Sequence, residues 1–463
     1  MDKKDQNIDL MHKIVSLAKR RGFIFPGSEI YGGLAGTYDF GPLGVQLKKH
    51  IKDSWWKKFI ESREDMYGVD AAILMNQKVW EATGHVDEFH DMLVEDTKTN
   101  KRYRADHLLE EAGLPEAEGM TAQQMTDKIK ELGLKSPNGN DLGDVKQFNM
   151  MLKTSLGASE DSSSVSYLRP ETAQGIFVNY KNVLDTMNPK IPFGIGQIGK
   201  AFRNEITPKD FIFRVRELEQ MEIEYFIKEE DWEKQFTYWL EEQREWFTEI
   251  GLDDSKMHEY EHPKEARSHY SKRTMDWEFD FPFGRSELCG LAYRTDFDLT
   301  KHAEHSKQKL QYTDSSTGET FVPHVIEPSF GLDRTILALL LSAYEEEEME
   351  DGTSRVYLKF KPSIAPILCA VSPLVKNKPE IVDKARSIFG KLKSEFGRVV
   401  WDDNGNVGKR YRRQDEIGTP FGIVIDYDTL EGEGVTIRDR NTGEQERVKE
   451  EDLVGYLKEK LER

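Results

Sequence analysis

Only two of the 463 residues are cysteine, Cys289 and Cys369, and they stand far apart. That excludes a disulfide framework and any paired-cysteine zinc site, so no zinc-type ligand set is expected. Both cysteines read as reduced, small core residues of a cytoplasmic protein. No stretch approaches the ~20 apolar residues that a membrane span needs, and the opening MDKKDQNIDL lacks the apolar centre of a signal peptide. Positive charge is short as well. The net charge is −19, whereas nucleic-acid binders are usually basic, which counts against wholesale binding to DNA but leaves room for a partner engaged through local patches. What is present is 37% hydrophobic and 11% aromatic residues, enough for a sizeable core, with 32% charged residues to keep the chain soluble. The length allows two to four domains. Residues 362–463 carry a net charge of −1 against −18 for the remainder, so a boundary is expected near Pro362, giving domains 1–361 and 362–463.

The segment around which the rest is organised runs from Lys200 to Phe226. Phe202, Asn204 and Ile206 alternate with Arg203 and Glu205. After a break at Thr207–Asp210 the alternation resumes, with Phe213, Val215, Glu217 and Glu219 on one parity and Arg214, Arg216, Leu218, Glu222 and Glu224 on the other. Period two predicts strands, and the polar break predicts a hairpin with a long, mobile loop. Such a hairpin gathers three arginines and several glutamates. The guanidinium fork suits phosphate and carboxylate, and glutamate accepts from amines. A site holding a nucleotide phosphate, a substrate carboxylate and a substrate ammonium needs that mixture. A hairpin with one solvated, charged face would show the same pattern.

Helical spacing marks residues 8–21 and 47–63, separated by the Gly- and aromatic-rich Gly22–Gly44. Asp70–Leu74 reads as a short strand. From about 86 to 166 the pattern degrades into an insertion or subdomain, with a helix near Ala122–Leu132 and a Ser-rich, acidic mobile end at Gly157–Ser164. Further on come a helix at Glu230–Ile250, strands in Met275–Phe281 and LCGLAYRTDFDL, an apolar strand and helix in FVPHVIEPSFGLDRTILALLLSAY, and an acidic loop at Glu345–Gly352. The tail alternates strands with helices at Pro379–Phe396 and Glu450–Lys460, a small α/β unit. FGIGQIGKAF matches two phosphate-loop patterns. However, Ala201 follows Lys200 where a hydroxyl is required, and a charged hairpin follows where a helix is required. Its glycines are read as close packing on a strand.

Two more segments carry chemistry. In GLDR, Arg334 opens a helix, where a cation costs roughly 0.3–1 kcal/mol unless an anion sits beside it; an exposed arginine turned away would also fit. Glu327 and Ser329 lie just upstream. In RPETAQG, Arg169 and Glu171 can satisfy an ammonium-bearing ligand or form a structural ion pair.

FRNE with the following RVREL strand, and GLDR opening a helix, resemble motifs 2 and 3 of class II aminoacyl-tRNA synthetases, and Asp70–His85 sits where motif 1 belongs. More narrowly, YGGLAGTYDFGPLG, WEATGH, YRADHL, RPETAQGIF, EQMEIEYF, RTDFDL and VIEPSFGLDR resemble the dimeric glycyl-tRNA synthetases nearly end to end, and GKRYRRQDEIGTPFG resembles their anticodon-binding domain. The resemblance implies an α+β fold, an antiparallel sheet flanked by helices with a C-terminal α/β domain, in a homodimer. It implies activation of glycine by ATP with Mg2+, then transfer to tRNA(Gly). Arg203, Glu205 and Arg334 would be the catalytic groups. Asn204, the strand Phe213, Arg214, Val215, Arg216, Glu217 and Leu218, the pair Glu287 and Leu288, and Gly331, Leu332 and Asp333 would also contact ATP, with Glu287 a ligand for Mg2+. Arg104, Glu171, Leu218, Glu219, Gln220, Met221, Glu222, Glu327, Pro328, Ser329, Phe330 and Gly331 would surround glycine. The basic cluster Arg410, Arg412 and Arg413 is expected to touch tRNA phosphates. Leu218 stands where the family usually has an adenine-stacking Phe, and Gln77 near a usual Pro of motif 1. A non-catalytic, nucleic-acid-binding accessory subunit and a synthetase for another small amino acid are the competing readings.

Overall fold

Alternating apolar runs rich in Ile, Phe, Tyr and Trp favour a sheet, and seven of them form one. In the computed structural model, which describes residues 3–462 apart from 115, 116, 118, 158–164, 265, 266, 269, 350 and 351, they are β1 Met66–Gly68, β2 Phe193–Phe202, β3 Glu217–Ile227, β4 Met257–Glu261, β5 Arg273–Phe281, β6 Gly284–Thr295 and β7 His324–Gly331. Their order is β4–β5–β6–β7–β3–β2–β1. All neighbours are antiparallel except β1 and β2.

Strand β3 is buried on both faces. Met221, Ile223 and Tyr225 join Trp55, Phe59, Trp239, Trp246 and Phe330 in the main core, beneath the helices Pro42–Trp56, Trp232–Ile250 and Leu332–Ala343. The opposite parity, Glu222, Glu224 and Phe226, lies beneath the short helix Ala173–Phe177 and the helix Phe297–Ser306, with Phe226 packed on Phe177 and Phe193. Glutamates on that face are therefore interior groups, and the reading of a solvated charged face is excluded. The glycines of FGIGQIGKAF pack as expected: a Cβ at Gly196 would lie 2.5 Å from Ile60 Cδ1, and one at Gly199 would lie 2.2 Å from Arg169 Nη2.

Residues 90–149 build a small unit of their own. Strands Arg102–Arg104, His90–Glu95 and Lys146–Asn149 form a sheet in that order, covered by helices Ala105–Glu111 and Ala122–Glu131 around Val94, Leu109, Met125 and Ile129. Of the acidic stretch Gly157–Ser164, residues 158–164 lie outside the described residues. The tail holds a five-stranded sheet, its first three strands parallel and its last two antiparallel, with a separate core from Leu368 to Leu457.

Several expectations are corrected. Strand β3 begins at Glu217, not Phe213. Residues 203–216 form the loop, because Arg216 is drawn off the strand: its amide donates to Gly36 O (2.7 Å) and its guanidinium to Glu205 O (2.9 Å) and Ala35 O (3.0 Å). Asp70–Leu74 is irregular, and the strand lies earlier, at Met66–Gly68. FDL of RTDFDL begins a helix. The acidic Glu345–Glu348 is half of a two-stranded hairpin with Ser354–Leu358, stabilised by Arg355, which pairs with Glu347 at 2.9 Å. GKRYRRQDE is a helix, Val407–Glu416, capped by the side chain of Asn406.

Candidate active site

The loop 203–216 and the start of the helix Leu332–Ala343 meet over the same end of the sheet. Arg203 and Arg334 line one cavity, with Glu205, Arg214 and Leu218 from the loop and β3, and Glu287 and Leu288 from β6. Both guanidiniums are positioned by aromatic faces and backbone carbonyls. Arg203 Nε donates to Pro170 O (3.1 Å) with its guanidinium 5.6 Å from the Phe89 ring. Arg334 lies 4.4 Å from the centre of the Phe213 ring and pairs with Glu287 Oε2 at 2.7 Å. Phe213 is itself backed by Phe281 and Phe283, with ring centres 5.1 and 4.8 Å away. The Arg334 charge beside it holds the Glu287 carboxyl below its usual range. Gln220 Oε1 is buried, with no donor among the described residues. A cavity with guanidiniums converging on it, a ring to stack upon, an exposed carboxylate at the rim and an unsatisfied acceptor in its wall fits a nucleotide triphosphate with a divalent cation.

A second cavity, of about 160 Å³, adjoins the first and shares Arg203, Gln220, Glu287 and Ser329 with it. Its walls are acidic: Glu171, Glu222, Asp276 and Glu327. Register places Ser329 opposite Glu222, and its hydroxyl donates to Glu222 Oε1 (2.8 Å); Thr172 Oγ1 donates to the other oxygen. His85 Nε2 lies 3.2 Å from Glu171 Oε1, and Gln174 Nε2 donates to the same oxygen (3.1 Å). Burial works against the Glu171 charge, but His85, Arg294 and Gln174 together hold its carboxyl well below the usual range. Burial pushes Glu327 up to about 8, with Arg294 opposing, and burial with the neighbouring Glu171 raises Glu222. Burial also takes Asp276 up to about 6, against a hydrogen bond from His262 (2.7 Å). An amino-acid ammonium entering this cavity would meet carboxylate acceptors from Glu171, Glu222 and Glu327.

Not every expected residue faces the cavities. Met221, Phe330 and Leu332 point into the aromatic core, and Pro328 is buried within β7. Glu219 is paired with Lys48 (2.8 Å) and Lys52 (2.9 Å), and Glu217 with Lys200 (2.7 Å). Asp333 accepts from the Glu219 amide (2.8 Å) and also lines the first cavity, as do Val215 and Gly331. Asn204 is tied by its amide to Met150 O (2.7 Å), and Arg216 braces the loop. Arg104 is held by Asp106 and by Asp91 (3.0 Å), outside the lining of either cavity. Of the basic cluster, Arg410 is corrected: it is 3% exposed and donates to Pro373 O (2.6 Å) and Gly405 O, so it braces the fold. Arg413 bonds Asp402 (2.6 Å), while Arg412 is exposed.

The sequence reading missed Arg294. It is 1% exposed, bidentate to Asp298 (2.8 and 2.9 Å), bonded through Nη1 to Glu327 (2.7 Å), and 3.8 Å from the centre of the Tyr270 ring. The available signal was an arginine closing the apolar run Leu288–Tyr293, four residues before an aspartate.

A largely antiparallel sheet with two arginines converging at one end of it beside an acidic pocket, followed by an α/β tail with its own core, defines a class II tRNA synthetase. The family descriptions agree: "tRNA synthetase class II core domain (G, H, P, S and T)" matches residues 157–343, and "Anticodon binding domain" matches residues 368–460. The chain is 52% identical over 458 residues to the glycine–tRNA ligase of Alkaliphilus oremlandii (97% of this chain, 98% of the relative). It is 50% identical over 459 residues to that of Bacillus anthracis (98% and 99%), and 51% identical over 458 residues to that of Caldanaerobacter subterraneus subsp. tengcongensis (97% and 98%). The chain belongs to the glycine–tRNA ligase family.

Proposed function

We infer that the chain is a glycine–tRNA ligase, using ATP and a divalent metal to activate glycine and passing the glycyl group to tRNA(Gly). The observation that carries this is the sharing of Arg203, Gln220, Glu287 and Ser329 by a guanidinium-rich cavity and an acidic one. In the first step the glycine carboxylate attacks the α-phosphorus and pyrophosphate leaves. In the second the terminal hydroxyl of the tRNA attacks the glycyl carbonyl and AMP leaves. Neither step requires a covalent enzyme nucleophile, so catalysis rests on positioning and neutralised charge.

In our reading Arg203 holds the α-phosphate and the glycine carboxylate, Arg334 the far end of the triphosphate, and Glu205 with the 213–218 segment the nucleoside. Glu171, Glu327 and Ser329 receive the ammonium. The metal is Mg2+, with Glu287 as its candidate ligand; bound there it would offset triphosphate charge. Selection of glycine is steric, with the walls around Glu327 and Ser329 turning away a substrate Cβ. A homodimer in the cytoplasm, without membrane or DNA partners, and a division into 1–361 and 362–463 complete the proposal. The described residues contain no helix long and apolar enough to cross a membrane.

Pyrophosphate exchange with ATP is expected to depend on glycine and to be weaker by orders of magnitude with alanine or serine. Exchange with one of those but not glycine would reassign the substrate, and no exchange with any amino acid would favour a non-catalytic accessory protein. In the tail, Arg412→Glu is expected to weaken tRNA(Gly) binding several-fold at low salt, leaving exchange intact. Arg410→Glu should instead destabilise the tail by leaving a charge buried among carbonyls. Unaltered tRNA binding by Arg412→Glu removes that contact from the proposal.

A further inference from the structure

Glu224 is the buried acid of β3 to which the reactions above give no task. It is 0% exposed, and neither carboxyl oxygen has a hydrogen-bond partner among the described residues. Antiparallel register sets it on the same face as Glu222 and across from Glu327, and the three side chains bring carboxyl oxygens within 4.8 Å of one another. The charged groups facing it are Glu222 on its own strand, Glu327 on β7, Arg294 on β6 and Asp298 in the helix Phe297–Ser306. Strand β2 contributes Gln197, which is neutral. The one cation in that set is Arg294, and its guanidinium is already engaged, with Nε and Nη2 on Asp298 and Nη1 on Glu327.

An ionised carboxylate in that place would have no donor and no free counter-charge, and it would face two further carboxylates. A protonated carboxyl avoids the charge penalty, and carboxyl oxygens of Glu222 and Glu327 lie within 4.8 Å of its own, where a small shift brings one into reach of its hydroxyl. Acids packed this closely titrate as a set, with one holding a proton the others do not. Burial and the neighbouring Glu327 both push Glu224 well above the ordinary carboxyl range, which agrees with the geometry.

We propose that Glu224 is a positioning residue of the amino-acid site: it stands as the neutral acid behind Glu222 and Glu327, turning its hydrogen toward Glu327 and leaving that carboxyl group's remaining lone pairs for the substrate ammonium. This rests on the glycine-site reading. It makes the pocket one negative charge lighter than its composition implies, which allows three glutamates and an aspartate to share one enclosed space around a single guanidinium. The rival occupant of the same geometry is a hard cation shared by the three carboxylates.

The test uses the full chain. Infrared difference spectra of the parent and Glu224→Gln should show the loss of one protonated-carboxyl stretch, unchanged by exhaustive chelation. In glycine-dependent exchange, Glu224→Gln keeps a neutral donor, and its KM for glycine should stay within about threefold of the parent. Glu224→Ala, which removes the donor, should raise the glycine KM about tenfold or more with the ATP KM unmoved. A missing infrared loss, or a Gln variant as impaired for glycine as the Ala variant, overturns the proposal. A stoichiometric metal lost in Glu224→Gln would assign the site to a cation. Should Glu224→Ala fail to fold, the infrared band and the Gln variant still decide. Absence of glycine-dependent exchange in the parent would strike the functional reading alone, because the infrared result needs no substrate.

Discussion

Arg334→Ala lowers kcat/KM for ATP in glycine-dependent pyrophosphate exchange by about 10³-fold or more, and Arg203→Ala does the same. Arg334 sits in the first turn of the helix Leu332–Ala343, where a cation opposes the helix dipole by roughly 0.3–1 kcal/mol. It is retained there by the Phe213 ring and by Glu287 at 2.7 Å. Glu287 is half exposed, so this pair contributes little to stability. An arriving triphosphate offers a denser anion and can take the guanidinium from Glu287, with the helix amides adding to its field. A guanidinium aimed at charge that develops on phosphoryl oxygens supplies about 10³–10⁵ in rate where it has been removed from other phosphoryl-transfer sites, and 10³ corresponds to about 4 kcal/mol. The alanine variant should unfold at nearly the parent's temperature, which separates lost chemistry from lost fold. A loss below tenfold with an unchanged melting temperature would remove Arg334 from the phosphate site.

How far this could be read from the chain depends on the range of the forces involved. The helices and the core strands were legible because periodic burial leaves a local imprint, as in Pro379–Phe396 and in β5. The start of β3 was not, because Arg216 answers to Ala35 and Gly36, some 180 residues away in sequence. The glutamates of β3 look the same in sequence whether they face water or a second layer. Only the helices above them, Ala173–Phe177 and Phe297–Ser306, decide that Glu222 and Glu224 are interior groups. In GKRYRR the spacing of basic residues suggested a nucleic-acid patch. On a helix, however, Arg410 falls on the buried side and Arg412 on the exposed one, a distinction of two residues that composition cannot carry. The two arginines of the candidate phosphate site were recognisable because each breaks a local rule, by charge in a strand pair or by sign at a helix start. Arg294 breaks a rule as well, and reading RTDFDL as strand throughout hid its i, i+4 partner Asp298.

Arg294→Met should cost about 3–5 kcal/mol of catalytic-unit stability, the usual loss when one partner of a buried ion pair is removed. Methionine fills most of the volume, so the penalty is chiefly electrostatic. Glu327 loses the donor to Oε1, Asp298 loses both of its charged bonds, and Gln174 Nε2, 3.0 Å from Asp298 Oδ1, remains with an uncompensated carboxylate. The pH dependence has a definite sign. Arg294 is the group that lowers Glu327 in a site where burial raises it to about 8. Without Arg294 the folded-state value rises further, while the unfolded value stays near 4.5. The folded variant then binds more protons than the unfolded chain through that interval, so its stability falls as pH rises. The deficit against the parent should thus be flat from about pH 5 to 7, where both folded forms hold the Glu327 proton, and should grow above about pH 8, where only the parent gives it up, as read by urea denaturation followed through the tryptophans of the main core. Adding Glu327→Gln and Asp298→Asn to Arg294→Met should recover part of the loss, giving a coupling energy of about 1 kcal/mol or more. A deficit that is flat with pH, or additive in the triple variant, would mean that Arg294 acts there by packing on Tyr270 alone and that its charge does not hold the acidic pocket together.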